Sequence, residues 1–258
     1  MRKLTTRTQR LCPLLTGLLV SCSLPLTFRS KAVENPIANR ILTQCKELEA
    51  FLVVSQVDYK ELEKIGKDFS ATYRMKNLHL YYQSPDKIRL ETSSRVYGDA
   101  LLLLNGAKRY FAISKLNLRK VEDLGMDSAK RQSLLEYGGQ LSEGTLQFMT
   151  AKFVKEEQVS ETPTLVFDLK YKTNLPASSY RIWVDPKTRL TLKRVWYDKE
   201  GKMKATFLYT NPKEIGEGVW VPGHCEITNA EGVFSAALDF KEAKLASGLS
   251  AGLFEIKP

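Results

Sequence analysis

From residue 180 to residue 229 the chain alternates apolar and polar positions in short runs, each ended by turn residues. Residues 180–184 stop at Asp185-Pro186-Lys187-Thr188, residues 190–197 at Asp198-Lys199-Glu200-Gly201, and residues 203–209 at Asn211-Pro212. Proline presets φ, glycine accepts positive φ, and Asp or Asn bonds its own backbone, so each stop has a mechanical reason to turn. Connections this short join antiparallel neighbours, because a parallel crossover needs a dozen residues or more. The run predicts an antiparallel meander. Alternation puts Ile182, Val184, Met203, Phe207 and Tyr209 inward and leaves Arg181, Lys193 and Lys204 to water.

The same period of two recurs upstream. Leu78, Leu80 and Tyr82 share one side of a strand within residues 73–82, and Asn77, His79 and Tyr81 the other. Ser84-Pro85-Asp86 turns the chain into a second alternating run over residues 87–92. Residues 100–104 are continuously apolar, as in a strand buried on both sides; Asn105-Gly106 then makes a hairpin that returns over residues 109–113. Elsewhere the period lengthens. Ile37, Ile41, Leu42, Cys45, Leu48 and Leu52, spaced by three and four, predict a first helix, capped by Asn35 with Pro36 at its first position. Strands are expected from Val53 onward. Residues 127–153 carry Leu134, Leu135, Leu141, Leu146, Phe148 and Met149, broken by Gly138-Gly139 and Gly144, and read as two or three short helices. Strands resume over residues 164–169 and close with residues 233–240, where Phe234, Ala236, Leu238 and Phe240 share a face.

These elements define an α+β, mainly β fold. So many strands exceed a small flat sheet, so the antiparallel sheet should curl into an unclosed half-barrel or a full barrel. The central helices then have one place to go, across the concave face as a lid. No repeat, low-complexity tract or internal linker appears, so residues 37–258 read as one domain.

The first residues read as export rather than fold. Arg2, Lys3, Arg7 and Arg10 precede an apolar run over residues 11–21, shorter than the roughly 20 residues a spanning helix needs. The run ends at Leu19-Val20-Ser21-Cys22, which resembles a bacterial lipobox and implies lipidation at Cys22. A plain signal peptide cleaved later is the alternative, since Leu24-Pro25-Leu26-Thr27-Phe28 prolongs the apolar character. On this reading residues 1–22 are the signal segment and 23–36 a tether. The net charge of +10 falls once those four bases are set aside, to 35 bases against 29 acids. With no run of five like charges, nothing calls for nucleic acid.

Candidate chemistry is sparse. The only histidines are His79 and His224, and no Gly-x-Ser-x-Gly, His-Glu-x-x-His or P-loop pattern occurs, so an enzyme, a metal and a cofactor are not expected. His224, Cys225 and Glu226 are consecutive on a strand and point alternately to opposite faces, which suits no shared ion. Asp185 and Asp198 hold turn positions. Cys45 and Cys225 are either separate buried thiols or, in an oxidising compartment, a pair. The apolar positions Leu78, Leu80, Tyr82, Ile88, Leu90, Phe111, Ile182, Val184, Met203, Phe207 and Tyr209 either line a lipid cavity or form an ordinary core under the helices.

The order of these features resembles the periplasmic lipoprotein carrier family, the LolA-like proteins, with their lipid-anchored relative LolB. The resemblance is carried by Ser84-Pro85-Asp86-Lys87-Ile88-Arg89 and by the hairpin Leu103-Leu104-Asn105-Gly106-Ala107-Lys108-Arg109-Tyr110-Phe111. The two Asp-marked turns and the closing Leu253-Phe254-Glu255-Ile256-Lys257-Pro258 complete it. It implies an unclosed barrel around an apolar cavity that binds acyl chains of lipoproteins or other lipids. It also implies residence in the periplasm or outer-membrane envelope, membrane contact through Cys22, and an envelope protein partner. One position departs from the carrier: where that family has Arg before the Pro of the first hairpin, this chain has Ser84, with Arg89 on the following strand. The same resemblance admits an alternative, an envelope-stress sensing or structural lipoprotein of the RseB/MucB type.

Overall fold

Two runs of alternating residues, one on each side of a helical segment, wind into one sheet. The computed structural model describes residues 40–256 except Val96 and Met126. The export segment with Cys22, the tether and the Asn35 cap lie outside the described residues. The first run is β1 (Glu47–Val57), β2 (Asn77–Gln83), β3 (Lys87–Ser94), β4 (Gly98–Asn105), β5 (Lys108–Ile113) and β6 (Leu118–Asp123). The second is β7 (Met149–Val159), β8 (Thr162–Tyr171), β9 (Ser179–Val184), β10 (Thr191–Tyr197) and β11 (Met203–Thr210). A separate hairpin of β12 (Lys213–Gly216) and β13 (Val219–Val221) interrupts it before β14 (His224–Asn229) and β15 (Phe234–Leu245) complete it.

The strand order is β6-β5-β4-β3-β2-β1-β15-β14-β11-β10-β9-β8-β7, with every pairing antiparallel. Each half is therefore a meander, and the halves are sewn together where β1 pairs with β15. The free edges are β6 and β7, so the sheet is unclosed. The residues between them hold α3 (Leu134–Gly138) and α4 (Glu143–Phe148). The expected hairpins are present: Asn105 pairs with Lys108 around Gly106, whose φ of 59° suits glycine, and β9, β10, β11 and β14 lie in the predicted meander.

Three expectations are corrected. Among the described residues the helix expected over 37–52 is not formed: from Glu47 the chain is β1, where Leu48, Ala50, Leu52 and Val54 are all buried at a spacing of two. Leu48 and Leu52 satisfy both periods; pairing with β2 on one side and β15 on the other decides for the strand. The strand reading from Val53 onward is interrupted by α1 (Tyr59–Ile65) and α2 (Lys67–Thr72). Asp58 starts α1 by accepting from the backbone N–H of Lys60 and Glu61, and Leu62 and Ile65 are buried beneath it. Finally, the central helices end at Phe148, and strand structure resumes at Met149 rather than Thr164.

The central helices are pinned by their caps. Glu136 reaches back to the Ser133 N–H at 2.6 Å while the Ser133 hydroxyl accepts from the Leu135 N–H at 3.2 Å. The α3 chain leaves through Gly139 at φ 64°. At the start of α4, the Ser142 hydroxyl donates to the Pro85 carbonyl at 3.2 Å. Gly144 lies so close to the β2–β3 turn that a Cβ there would stand 2.1 Å from the Pro85 oxygen. Leu135 and Phe148 pack with Ile182, Val184 and Phe167, while Leu134 joins a second cluster with Leu80, Ile88 and Tyr209.

Candidate ligand cavity

The inner face of the sheet holds a largely apolar cavity of about 420 Å³, bordered by α2, the 129–137 segment and strands from both halves. Ala100, Leu102 and Phe111 reach it from β4 and β5, and Tyr171 and Tyr180 from β8 and β9. β5 and β8 are ten places apart in the strand order, which on a flat sheet is roughly 48 Å at about 4.8 Å per strand. One cavity of this size cannot be bordered by both unless the sheet curls around it. Its volume falls in the range of about 300–1,000 Å³ usual for small-molecule sites.

Aromatic rings build one side. Phe69 of α2 stands 5.7 Å from the Trp196 ring and 6.1 Å, edge to face, from Phe207. The Tyr171 and Tyr180 hydroxyls meet at 3.3 Å, and Tyr171 also donates to the Arg131 carbonyl at 3.3 Å. Burial pushes the Tyr180 hydroxyl up to about 12, with Glu136 adding to the rise. Tyr209 is raised as well, first by burial.

A charge sits within this apolar wall. Arg194 of β10 is 3% exposed, and its guanidinium carbon lies 3.8 Å from the centre of the Phe207 ring and 5.6 Å from that of Tyr180. Burial works against its charge; Tyr209, Glu136 and Tyr180 hold the guanidinium above its ordinary value, the two tyrosines only as phenolates, far above neutral pH. Four buried polar atoms of the lining have no hydrogen-bond partner: Thr92 Oγ1, Arg194 Nε, Trp196 Nε1 and the Tyr209 hydroxyl oxygen.

The eleven apolar positions singled out from the sequence divide three ways. Leu78, Leu90, Phe111, Phe207 and Tyr209 border the cavity. Leu80, Tyr82 and Ile88 are fully packed in the core cluster of Leu134, and Ile182 and Val184 in that of Leu135 and Phe148. Met203 is in step with Ala205, Phe207 and Tyr209 along β11, but at the first position of the strand it is 40% exposed rather than enclosed. Of the positions expected outward, Arg181 is ion-paired with Asp168 at 2.7 Å, and Lys193 covers the Trp183 ring at 4.8 Å. Lys204 reaches the Lys64 carbonyl at 3.4 Å.

The sequence reading missed Arg194, Trp196, Tyr180 and Phe69. A signal for Arg194 existed: it pairs with Ile182 on one side and Phe207 on the other, and directly opposed residues share a face. For Phe69 the signal was Leu62, Ile65 and Phe69 at three and four after Asp58.

The remaining candidates have structural partners. His224 binds Asp239 at 2.7 Å; His79 bonds Glu49 at 2.9 Å and Tyr81 at 3.0 Å, stacked on Phe51. Asp185 accepts from the Lys187 N–H and the Thr188 hydroxyl, and Asp198 from the Glu200 and Lys202 N–H groups. Arg89 pairs with Glu91 at 2.8 Å and donates to the Leu253 carbonyl at 3.1 Å. Cys45 and Cys225 are separate buried thiols. Among the described residues no group of three or more His, Cys, Asp or Glu is gathered as for a metal, and no helix is long and apolar enough to cross a membrane.

The unclosed antiparallel sheet with its short helices shares its fold with solved structures of a lipoprotein-sorting protein domain and of a LolA superfamily protein. Residues 88–257 match a family model described as "Uncharacterized protein", and the chain belongs to that family. Among solved structures it is similar to an outer membrane lipoprotein-sorting protein domain from Vibrio parahaemolyticus, at 13% identity and TM-score 0.58, covering 84% of this chain and 92% of that one. It is similar also to a DUF1329 family protein from Desulfovibrio piger, at 14% identity and TM-score 0.57, covering 85% and 93%. A LolA superfamily protein from Nitrosomonas europaea aligns at 12% identity and TM-score 0.55, covering 85% and 94%. No curated protein matches the chain.

Proposed function

We propose that this chain is an exported envelope protein that holds the acyl chains of a lipid or lipoprotein inside its half-barrel, without chemistry on them. The observation that carries the reading is the apolar cavity of about 420 Å³ bordered by strands of both sheet halves. Each CH₂ moved from water into such a site contributes about 0.8 kcal/mol, so a chain of a dozen carbons binds without a polar anchor along its length. The naming of one structural relative for outer membrane lipoprotein sorting is consistent with a role in lipid or lipoprotein traffic. The lipobox-like end of the leader supports an anchor at Cys22, on which the domain would face the periplasm.

Two measurements test this. A neutral fluorescent probe such as N-phenyl-1-naphthylamine should bind the purified chain saturably and be displaced by long-chain lipids; linear, unsaturable uptake refutes the cavity role. Mass spectrometry of the mature protein should find acyl groups on Cys22; an unacylated N-terminus beyond residue 22 refutes the anchor.

A further inference from the structure

The bases that border the cavity differ in one respect. Arg109 is paired with Glu122, Arg131 with Asp86 at 3.3 Å, and Lys130 with Asp127 at 3.2 Å. Among the described residues Arg194 has no carboxylate within ion-pair distance, and its Nε has no hydrogen-bond partner. The one acid in the lining, Glu136, directs an oxygen to the N–H and hydroxyl of Ser133, each at 2.6 Å. What Arg194 touches instead is the Phe207 and Tyr180 rings, which orient a guanidinium without accepting its hydrogen bonds. The Tyr209 hydroxyl and the Trp196 indole N–H, on the same face of β10 and β11, are likewise without partners.

A buried cation is tolerated when it is paired and hydrogen-bonded, and costs several kcal/mol when it is not. Arginine is also the side chain whose planar donor fork matches a carboxylate or phosphate in two parallel hydrogen bonds. We propose that the cavity takes a single-chain amphiphile whose compact anionic head, a carboxylate or a phosphate, pairs with the Arg194 guanidinium. Its alkyl chain then lies along the wall that includes Leu52, Leu90, Leu102, Phe111, Leu238 and Phe240. The inference rests on the proposed acyl-holding role of this cavity and narrows its ligand, since a neutral ester leaves the guanidinium as unpaired as it is now.

The test measures displacement of N-phenyl-1-naphthylamine from the delipidated full chain by palmitate, hexadecyl phosphate and methyl palmitate. A charge-assisted pair in place of an unmet donor predicts that at least one anion displaces the probe at a concentration about 10- to 100-fold lower than the ester does. The anion with the larger advantage identifies the head group. Arg194→Gln should erase that advantage, bringing both anions to the level of methyl palmitate in the same variant, and Arg194→Lys should keep part of it. An ester equal to both anions in the unaltered protein overturns the proposal, whether or not the variants fold; so does an advantage that survives Arg194→Gln. Failure of the broader reading looks different: the probe itself then fails to bind saturably, and both fall together.

Discussion

Replacing Arg194 with Met should make the ligand-free protein more stable. Arg194 is 3% exposed, has no ion pair among the described residues, and gains aromatic contact chiefly from Phe207 at 3.8 Å. The effective penalty of burying one ion is several kcal/mol, and a desolvated cation–π contact offsets about 2 kcal/mol of it. A Met fills much of the same volume and, being flexible, adapts to the gap. The net expectation is a gain of about 1–3 kcal/mol. For a chain of this size that is a rise in Tm of roughly 2–10 °C. Urea titration of delipidated protein checks it: the midpoint should move up with the slope unchanged. Saturating ligand should then stabilise the unaltered protein more than Arg194→Met, because only the former has a charge to satisfy. An unchanged or lower midpoint for Arg194→Met would refute the view that this cation is held against a stability cost.

Gly144→Ala should destabilise by about 1–3 kcal/mol even though helix propensity alone favours Ala by about 1 kcal/mol. The new Cβ would stand 2.1 Å from the Pro85 carbonyl, so a urea midpoint at or above that of the parent contradicts the close docking of α4 on the turn. Burial pushes both the Cys45 and Cys225 thiols up to about 12. At pH 8 iodoacetamide should therefore leave both unlabelled in the native protein and label both in urea, as read by peptide mapping; rapid native labelling at either site counts against its burial. Hydrogen bonds from Lys120 and then Arg109 lower the Glu122 carboxyl from 4.5 to about 2. A depressed folded-state value means the stabilisation is present above pH 4.5 and lost as pH falls toward 2. Urea midpoints between those pH values should fall less steeply in Glu122→Gln than in the parent, and parallel curves would contradict the assignment.

The meander from β9 to β14 was legible because Asp, Asn, Pro and Gly sit at each turn, and those residues act locally. The same holds for the Asn105-Gly106 hairpin. β1 was not legible, because Leu48 and Leu52 fit a period of two and a period of four equally, and only pairing with β2 and β15 chooses between them. That is tertiary structure overriding local pattern. The α1–α2 pair is hidden for the opposite reason: its capping Asp58 and its Leu62, Ile65 and Phe69 stripe are present, but no Gly or Pro separates Asp58 from the β1 alternation. In the cavity, alternation identified a face but not which part of that face is hollow. Leu80, Ile88, Ile182 and Val184 share the parity of Leu78 or Phe207 yet lie beneath helices. Arg194 escaped because a charge on an alternating strand is ordinarily assigned to the solvent side.

If a chain-bearing ligand occupies the space between the two sheet halves, a photoreactive fatty acid with a terminal diazirine should report it. Labelling of the purified chain should be saturable and suppressed by excess palmitate, with crosslinked peptides mapping to lining residues such as Leu102, Phe111 and Phe240. Labelling that does not saturate, or that maps to the outer face around Trp183 and Val195, would contradict it.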